Sequence, residues 1–424
     1  MRRLMGGLKT ARFFAIASLT ATAACAGTPP PTAVAERSPP AAAAEEPQSF
    51  EDWLAGFRAK ARADGISAAT VEAALTGLEP DPGVLKSNDY QPEFTRTLWD
   101  YLEIAVSDQR VANGRAKLAE HRAALEAVER DYGVDAEVIV AIWGLETSYG
   151  EIMGTKDIFR SLATLGHEGR RTKFGRQQLM GALTIVDKGY ARRDEMQGSW
   201  AGAMGHTQFI PTTYLAYAVD RNGDGRRDIW TTLPDVFAST ANYLAKSGYE
   251  KDAPWGYEVT LPDGFDYALA SRSVKKPVIE WYAAGVSRPD GAPVTQGVDA
   301  NAAASILTPA GARGPAFLVL QNHRAIFAYN PATAYAMGIG LLSDAIAGRD
   351  ISLAQGWPLE DKALSLSQRK ALQEALNARG FNVGAVDGII GARTVEAIRN
   401  WQRSIGATAD GYASVALLEK LLAS

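Results

Sequence analysis

The sequence predicts a mainly α protein of the α+β class, with a minor β element and a separate three-helix module at its C-terminus. Three observations carry this. Apolar residues recur at helical spacing from Phe50 onward, in runs that open on Ser or Asp and close on Gly. Short β-like runs, PAFLVLQN and AIFAYN, fall within a Pro- and Gly-richer stretch at 255–330. After about residue 350 the pattern restarts as three short helices.

Residues 1–26 read as an export signal. Arg2, Arg3, Lys9 and Arg12 give a basic start, and FFAIASLTATAACA is apolar and ends in small residues. The apolar stretch is too short for a comfortable membrane span. Ala24-Cys25-Ala26 suits ordinary signal peptidase. Thr22-Ala23-Ala24-Cys25 loosely resembles a lipobox that would make Cys25 a lipidated first residue, although the usual leucine is missing. Both alternatives put the mature protein outside the cytoplasm. Cys25 is the sole cysteine, so no internal disulfide or thiolate metal site is expected. Residues 27–48 hold six prolines and many alanines and read as an extended tether or spacer.

The 424 residues allow two or three domains. Hydrophobic residues at 46% and charged residues at 22% fit globular cores. The formal net charge of −4 gives a nucleic-acid partner no support. FEDWLAGFRAKARADG places Phe50, Trp53, Leu54 and Phe57 on one helical face and stops at Gly65. Ser67 reads as the N-cap of the next helix, AATVEAALTG. Residues 112–131 read as one longer charged helix ending at Tyr132-Gly133. Near the C-terminus, SLSQRKALQEALNARG is capped by Ser365 or Ser367 and closed by Gly380. TVEAIRNWQRSIG and SVALLEKLL follow. Asp387-Gly388 and Asp410-Gly411, 23 residues apart, each introduce the next helix.

Three stretches hold candidate chemistry. GVDAEVIVAIWGLETSYG opens on Asp135 as N-cap and closes on Gly150, and it is apolar nearly all round, so it should be buried. Glu146 is the only charge near its C-terminal end. Burial and the negative end of the helix dipole both favour the protonated carboxyl, the form a general acid needs. A rim glutamate paired with an arginine is the structural alternative. SWAGAMGHTQFIPTTYLAYAVD combines Ser199 and Gln208 as hydrogen-bonding groups with Met204, Phe209 and Tyr214 as apolar faces, a mixture that suits a sugar groove or a tight helix crossing. In DRNGDGRRDIW, Asp220, Asn222 and Asp224 take positions 1, 3 and 5 of an EF-hand loop, with Arg226 at the carbonyl position. The bidentate Glu is missing, and Asp235 lies close enough in sequence to close the shell; a metal-free Asx-turn loop is the alternative. His121, His167, His206 and His323 show no ligand spacing and read as unremarkable.

In this order, VAIWGLETSYG, SWAGAMGHTQFIPTTY, the Asp220–Trp230 loop, TANYLAKSGY and YNPATAYAMGIGLL resemble the membrane-bound lytic transglycosylase B family, from about Phe50 to about Gly348. The resemblance implies a lysozyme-like core at 49–350 with an added helical domain and a small β domain. It implies Glu146 as catalyst, with Ser199, Gln208, Tyr243, Tyr329 and Tyr335 lining the glycan groove or sitting by that glutamate. It also implies a structural calcium ion on Asp220, Asn222, Asp224, Asp235 and the Arg226 carbonyl, with no cofactor for the chemistry. The arginines in that loop depart from what a cation favours. Residues 364–421 look like the common peptidoglycan-binding domain, so the implied partner is the glycan strand of the wall, met in the periplasm and with lipid anchoring through Cys25 as one alternative. A lysozyme-type hydrolase, with Asp157 or Glu168 as second carboxylate, and a non-catalytic wall-binding scaffold are the competing readings.

Overall fold

A helix apolar on every side needs a shell around it, and the computed structural model, which describes residues 48–89 and 96–424, is built as that shell. The signal, the tether and Cys25 lie outside the described residues. The central helix, Ala136–Thr147, buries Val138, Ile139, Val140, Ala141, Ile142 and Trp143. Helices Asp108–Glu120, Leu233–Lys246 and Thr333–Ile346 pack against it. Thr333–Ile346 is itself buried along nearly its whole length. Its Gly340 exists for contact: a Cβ there would stand 2.4 Å from the Trp255 ring, so only glycine lets that indole lie on the helix.

The first helix, Phe50–Ala63, turns Trp53, Leu54, Phe57 and Ala61 inward and is capped by Ser49. Ser67 caps Ala68–Leu75 through Thr70 N, as its sequence implies. The expected long helix over 112–131 is instead two, Asp108–Glu120 and Arg122–Tyr132, broken at His121. There the imidazole edges against Trp143 and Phe237, so packing on the core interrupts a pattern that charge periodicity alone would continue.

The β element is a four-stranded antiparallel sheet in the order Gly256–Val259, Ala316–Val319, Ala303–Leu307, Lys276–Pro277. Its own apolar cluster holds Trp281, Val278, Ile306 and Leu318. PAFLVLQN supplies a strand, but AIFAYN does not. It lies in the helix Gln321–Tyr329, whose Ala325 and Ile326 are fully buried one step apart. A run of small and aromatic residues fits either state, and the core contact decides it.

The C-terminal module has a core of its own, with Leu372, Leu376, Ile398, Trp401, Leu418 and Leu421 at its centre. Its helices are Leu366–Ala378, Ala392–Ser404 and Val415–Ala423. Ser365, not Ser367, caps the first, in a capping box with Gln368. The repeated Asp-Gly turns are gripped in the same way. Gln373 accepts from Gly388 N at 2.7 Å and donates to Asp387 at 3.0 Å. Gln402 accepts from Gly411 N at 2.8 Å and donates to Asp410 at 2.7 Å.

Candidate active site

Glu146 occupies the last turn of the central helix. Its Oε1 accepts a 2.7 Å hydrogen bond from the Tyr335 hydroxyl. The residue keeps partial solvent exposure while protein encloses its carboxyl, the condition of a group on a cleft floor. Burial pushes its pKa from 4.5 up to about 7, and the Tyr335 hydrogen bond opposes this. No other carboxylate contributes to that shift among the described residues. Asp157 is committed to Arg193 at 2.6 Å and to the Arg160 amide, and Glu168 is exposed.

The helix ends sooner than Gly150. Ser148, Tyr149 and Gly150 all have positive φ, at 50°, 62° and 94°. Left-handed backbone at two non-glycine residues costs of order 1–3 kcal/mol each and persists only where the surroundings enforce it. Here they do. Tyr149 donates to Arg110 O at 2.8 Å, and its ring lies so close to Gly144 that a Cβ there would come within 2.5 Å of it. A Cβ on Gly150 would stand 2.2 Å from the His206 ring. Asp135 sits at the N-cap position, but its carboxylate accepts from Tyr249 and from Asp252 N rather than capping the helix.

His206 is the main residue that sequence reasoning missed. Its Nδ1 accepts from Trp143 Nε1 at 2.8 Å in a buried contact, and its amide donates to Ile229 O at 2.9 Å. Burial lowers its pKa, so the ring is held neutral, as an acceptor on Nδ1 requires. It ties the Glu146 helix to the glycine-rich loop. No ligand spacing announces such a role, and only the adjoining Gly205 hints at close packing. Tyr101 was missed too. Burial, and then the charge of Glu146, pushes its hydroxyl up to about 12.

The tyrosines expected from the resemblance do converge. Tyr335 stacks parallel to Tyr329 at 6.4 Å, and Tyr329 meets Tyr243 edge-on at 4.8 Å. Tyr329 donates to Thr207 O at 2.7 Å, and Tyr243 to Ala328 O at 2.5 Å. Gln208, Tyr243 and Tyr329 line a cavity of about 130 Å³. Burial holds the Tyr329 and Tyr335 hydroxyls well above the ordinary value, so both remain donors.

The glycine-rich loop differs from its sequence reading in one respect. Met204, Phe209 and Tyr214 are 0%, 2% and 0% exposed, so they are core, and of the three only Phe209 reaches the wall of that cavity. Gln208 and Ser199 shape the loop. Gln208 Nε2 donates to Met153 O and Gly205 O at 3.1 and 2.9 Å, and Ser199 Oγ accepts from Ala203 N at 3.0 Å.

In the acidic loop, Asp220 accepts from the amides of Gly223 and Gly225, both at 2.7 Å, and Asp224 accepts from Arg226 N at 2.8 Å. Asp235 is fully buried and accepts from Arg221 N and Asp228 N. Burial, with a contribution from the Asp220 charge, raises its pKa. The loop's three arginines are spent elsewhere, Arg226 on Glu195, Arg221 on Asp131 and Arg227 over the Tyr190 ring. The donors are therefore all oxygen, with two acids in mutual repulsion, and that chemistry fits a hard divalent cation. Among the described residues the one acidic trio with oxygens already within 4.8 Å of one another is elsewhere, at Glu129, Asp135 and Asp252.

Residues 49–344 match the transglycosylase SLT domain, and residues 365–421 match a peptidoglycan binding domain. Membrane-bound lytic murein transglycosylase B of Escherichia coli (strain K12) is 32% identical over 254 residues, 58% of this chain and 66% of that protein, so the match spans just under two thirds of the relative. SltB3 from Pseudomonas aeruginosa, solved in complex with NAG-anhNAM-pentapeptide and with NAG-NAM-pentapeptide, is 52% identical at a TM-score of 0.85, over 88% of this chain and 100% of that one. The Escherichia coli lytic transglycosylase Slt35, solved in complex with calcium, is 28% identical at a TM-score of 0.60, over 69% of this chain and 92% of that one.

Two measurements check this site. A carboxyl whose pKa rises on folding binds more protons folded than unfolded between pH 4.5 and about 7, so wild-type stability falls as pH rises through that window. Glu146→Gln abolishes the fall and is the more stable protein above pH 7, by about 3 kcal/mol in urea unfolding. His206→Phe strands the buried Trp143 N–H and costs about 1–3 kcal/mol, while His206→Gln, which keeps an acceptor, recovers most of the loss.

Proposed function

Because the chain belongs to the SLT-type transglycosylase family, we propose that it is a lytic murein transglycosylase whose single acid/base is Glu146. The bond cut is the β-1,4 link from N-acetylmuramic acid to N-acetylglucosamine. One observation carries the reading: a carboxyl enclosed enough to titrate near 7, held by a tyrosine and without a second carboxylate acting on it. An inverting or retaining hydrolase needs that second group. A wall-binding scaffold has no use for an acid kept protonated at some cost to stability.

The protonated carboxyl gives its proton to the bridging oxygen as the bond to the muramyl C1 breaks. Positive charge develops at C1 and the ring oxygen. The carboxylate left behind takes the proton of the same sugar's C6 hydroxyl, whose oxygen closes on C1. The product is a 1,6-anhydromuramyl end, Glu146 is protonated again, and no water is consumed. Tyr335 fixes Oε1 and stabilises the transient carboxylate, leaving Oε2 for the substrate. Tyr329 and Tyr243 extend the tyrosine wall, while Gln208 and Ser199 hold the loop that forms the opposite side. The C-terminal module is proposed to hold the enzyme on the wall and raise local substrate concentration. The place of work is the periplasm, with outer-membrane attachment if Cys25 is lipidated.

Calcium is proposed as a structural ligand of the acidic loop, held by the side chains of Asp220, Asn222, Asp224 and Asp235 and by the Arg226 carbonyl. Its charge would offset the repulsion between Asp220 and Asp235, and it takes no part in bond cleavage.

Digestion of purified peptidoglycan should release muropeptides one water lighter than hydrolytic products, and Glu146→Gln should release none. Hydrated ends in the mass spectrum would transfer the assignment to a muramidase. Calcium at a hundredfold excess over its Kd should stabilise the fold by about 2.7 kcal/mol. A chelator should reverse this in thermal unfolding, and Asp220→Ala should be insensitive to the ion.

A further inference from the structure

A cleft of about 600 Å³ opens where the sheet domain, two helix starts and the C-terminal module meet. Five cations line it, Arg96, Arg272, Lys362, Arg369 and Arg399, against one carboxylate, Asp410. Asp410 is already spent on Ala312 N at 2.9 Å, Gln402 Nε2 at 2.7 Å and Tyr412 N at 3.0 Å. A chain of net charge −4 has thus gathered positive charge in one concavity, where field lines focus.

Arg369 is held by Gly388 O and Leu364 O, but three of the other cations are not consumed by ion pairs. Among the described residues Arg96, Arg272 and Lys362 pair with no carboxylate. Arg272 instead lies over the Phe327 ring, 3.5 Å from its centroid. Arg399 donates to Tyr267 O at 2.8 Å and pairs only loosely with Glu396, at 3.6 Å. Leu98, Trp99, Leu307, Ile390 and Val395 alternate with these charges. That mixture suits a peptide with aliphatic side chains and carboxylates better than a small inorganic anion.

The cleft also shares two helices with the Glu146 site. Thr97 and Trp99 stand at the start of helix Leu98–Ala105, which carries Tyr101. Thr333 begins the helix that carries Tyr335.

We propose that this cleft binds the carboxylates of the peptides carried by the muramyl units of the glycan, on Arg96, Arg272, Lys362 and Arg399. Planar guanidinium forks match carboxylate oxygens two at a time, and a peptide terminus offers such a group. The proposal rests on the transglycosylase reading for its substrate. It makes the C-terminal module part of substrate recognition, since that module contributes Arg399 and closes one side of the cleft.

The test uses the full chain carrying Glu146→Gln, so that binding is read apart from turnover. The probe is a soluble muropeptide pentapeptide with a free C-terminal carboxylate, measured by calorimetry beside its C-terminal amide and beside inorganic phosphate. The free acid should bind best, and Arg272→Gln should weaken it about tenfold, the worth of one charge-assisted contact. Lys362→Gln, at an exposed position, should do the same without risk to folding. In the active enzyme these two changes should also raise KM on peptide-bearing strands relative to amidase-stripped strands. Equal binding of acid and amide, phosphate binding as tight as the peptide, or variants that bind like the parent would each overturn the proposal. Loss of the transglycosylase reading shows separately, as hydrated ends from the active enzyme on stripped strands.

Discussion

The hydrogen bond from Tyr335 to Glu146 is the contact on which the rest of the site depends. Burial alone would drive the carboxyl so far toward its neutral form that it would surrender its proton with difficulty. The tyrosine draws the pKa back to about 7, where donation and recovery of one proton are balanced. The same phenol is itself buried and raised, so it stays a donor through both halves of the proposed cycle. Two groups that would each be costly alone make a usable pair.

Holding that pair in register takes much of the molecule. Glu146 lies two residues before a segment forced into left-handed backbone, and Tyr335 lies two residues into a helix that Trp255 can approach only through Gly340. The Trp143–His206 hydrogen bond links the glutamate helix to the loop opposite. The neutral state of His206 follows from the same burial that neutralises Glu146, so one apolar environment sets the protonation of both.

Much of this was legible in the sequence, and the illegible parts share a cause. An apolar helix with one terminal charge announces Glu146, because periodicity and composition are local properties. The Ser67 cap and the Asp-Gly turns are local as well, and they appear as read. What failed was long-range. His121 breaks a helix through contact with Trp143 and Phe237, AIFAYN becomes helical against the core, and Met204, Phe209 and Tyr214 are buried by elements distant in the chain. His206 looks inert until Trp143, 63 positions away, meets it. The arginines of the acidic loop appeared to oppose a cation, yet Asp131 and Glu195 take up the charge of Arg221 and Arg226.

A carboxyl resonance followed through pH tests the account most directly. With 13C-labelled glutamate, and Glu146 assigned by its absence in Glu146→Gln, the side-chain carbonyl shift should titrate with a midpoint near 7 in the folded enzyme. Tyr335→Phe should move that midpoint higher, since the bond that favours the charged form is gone. A midpoint near 4.5, unmoved by the tyrosine, would mean an ordinary solvated carboxylate and would contradict the account.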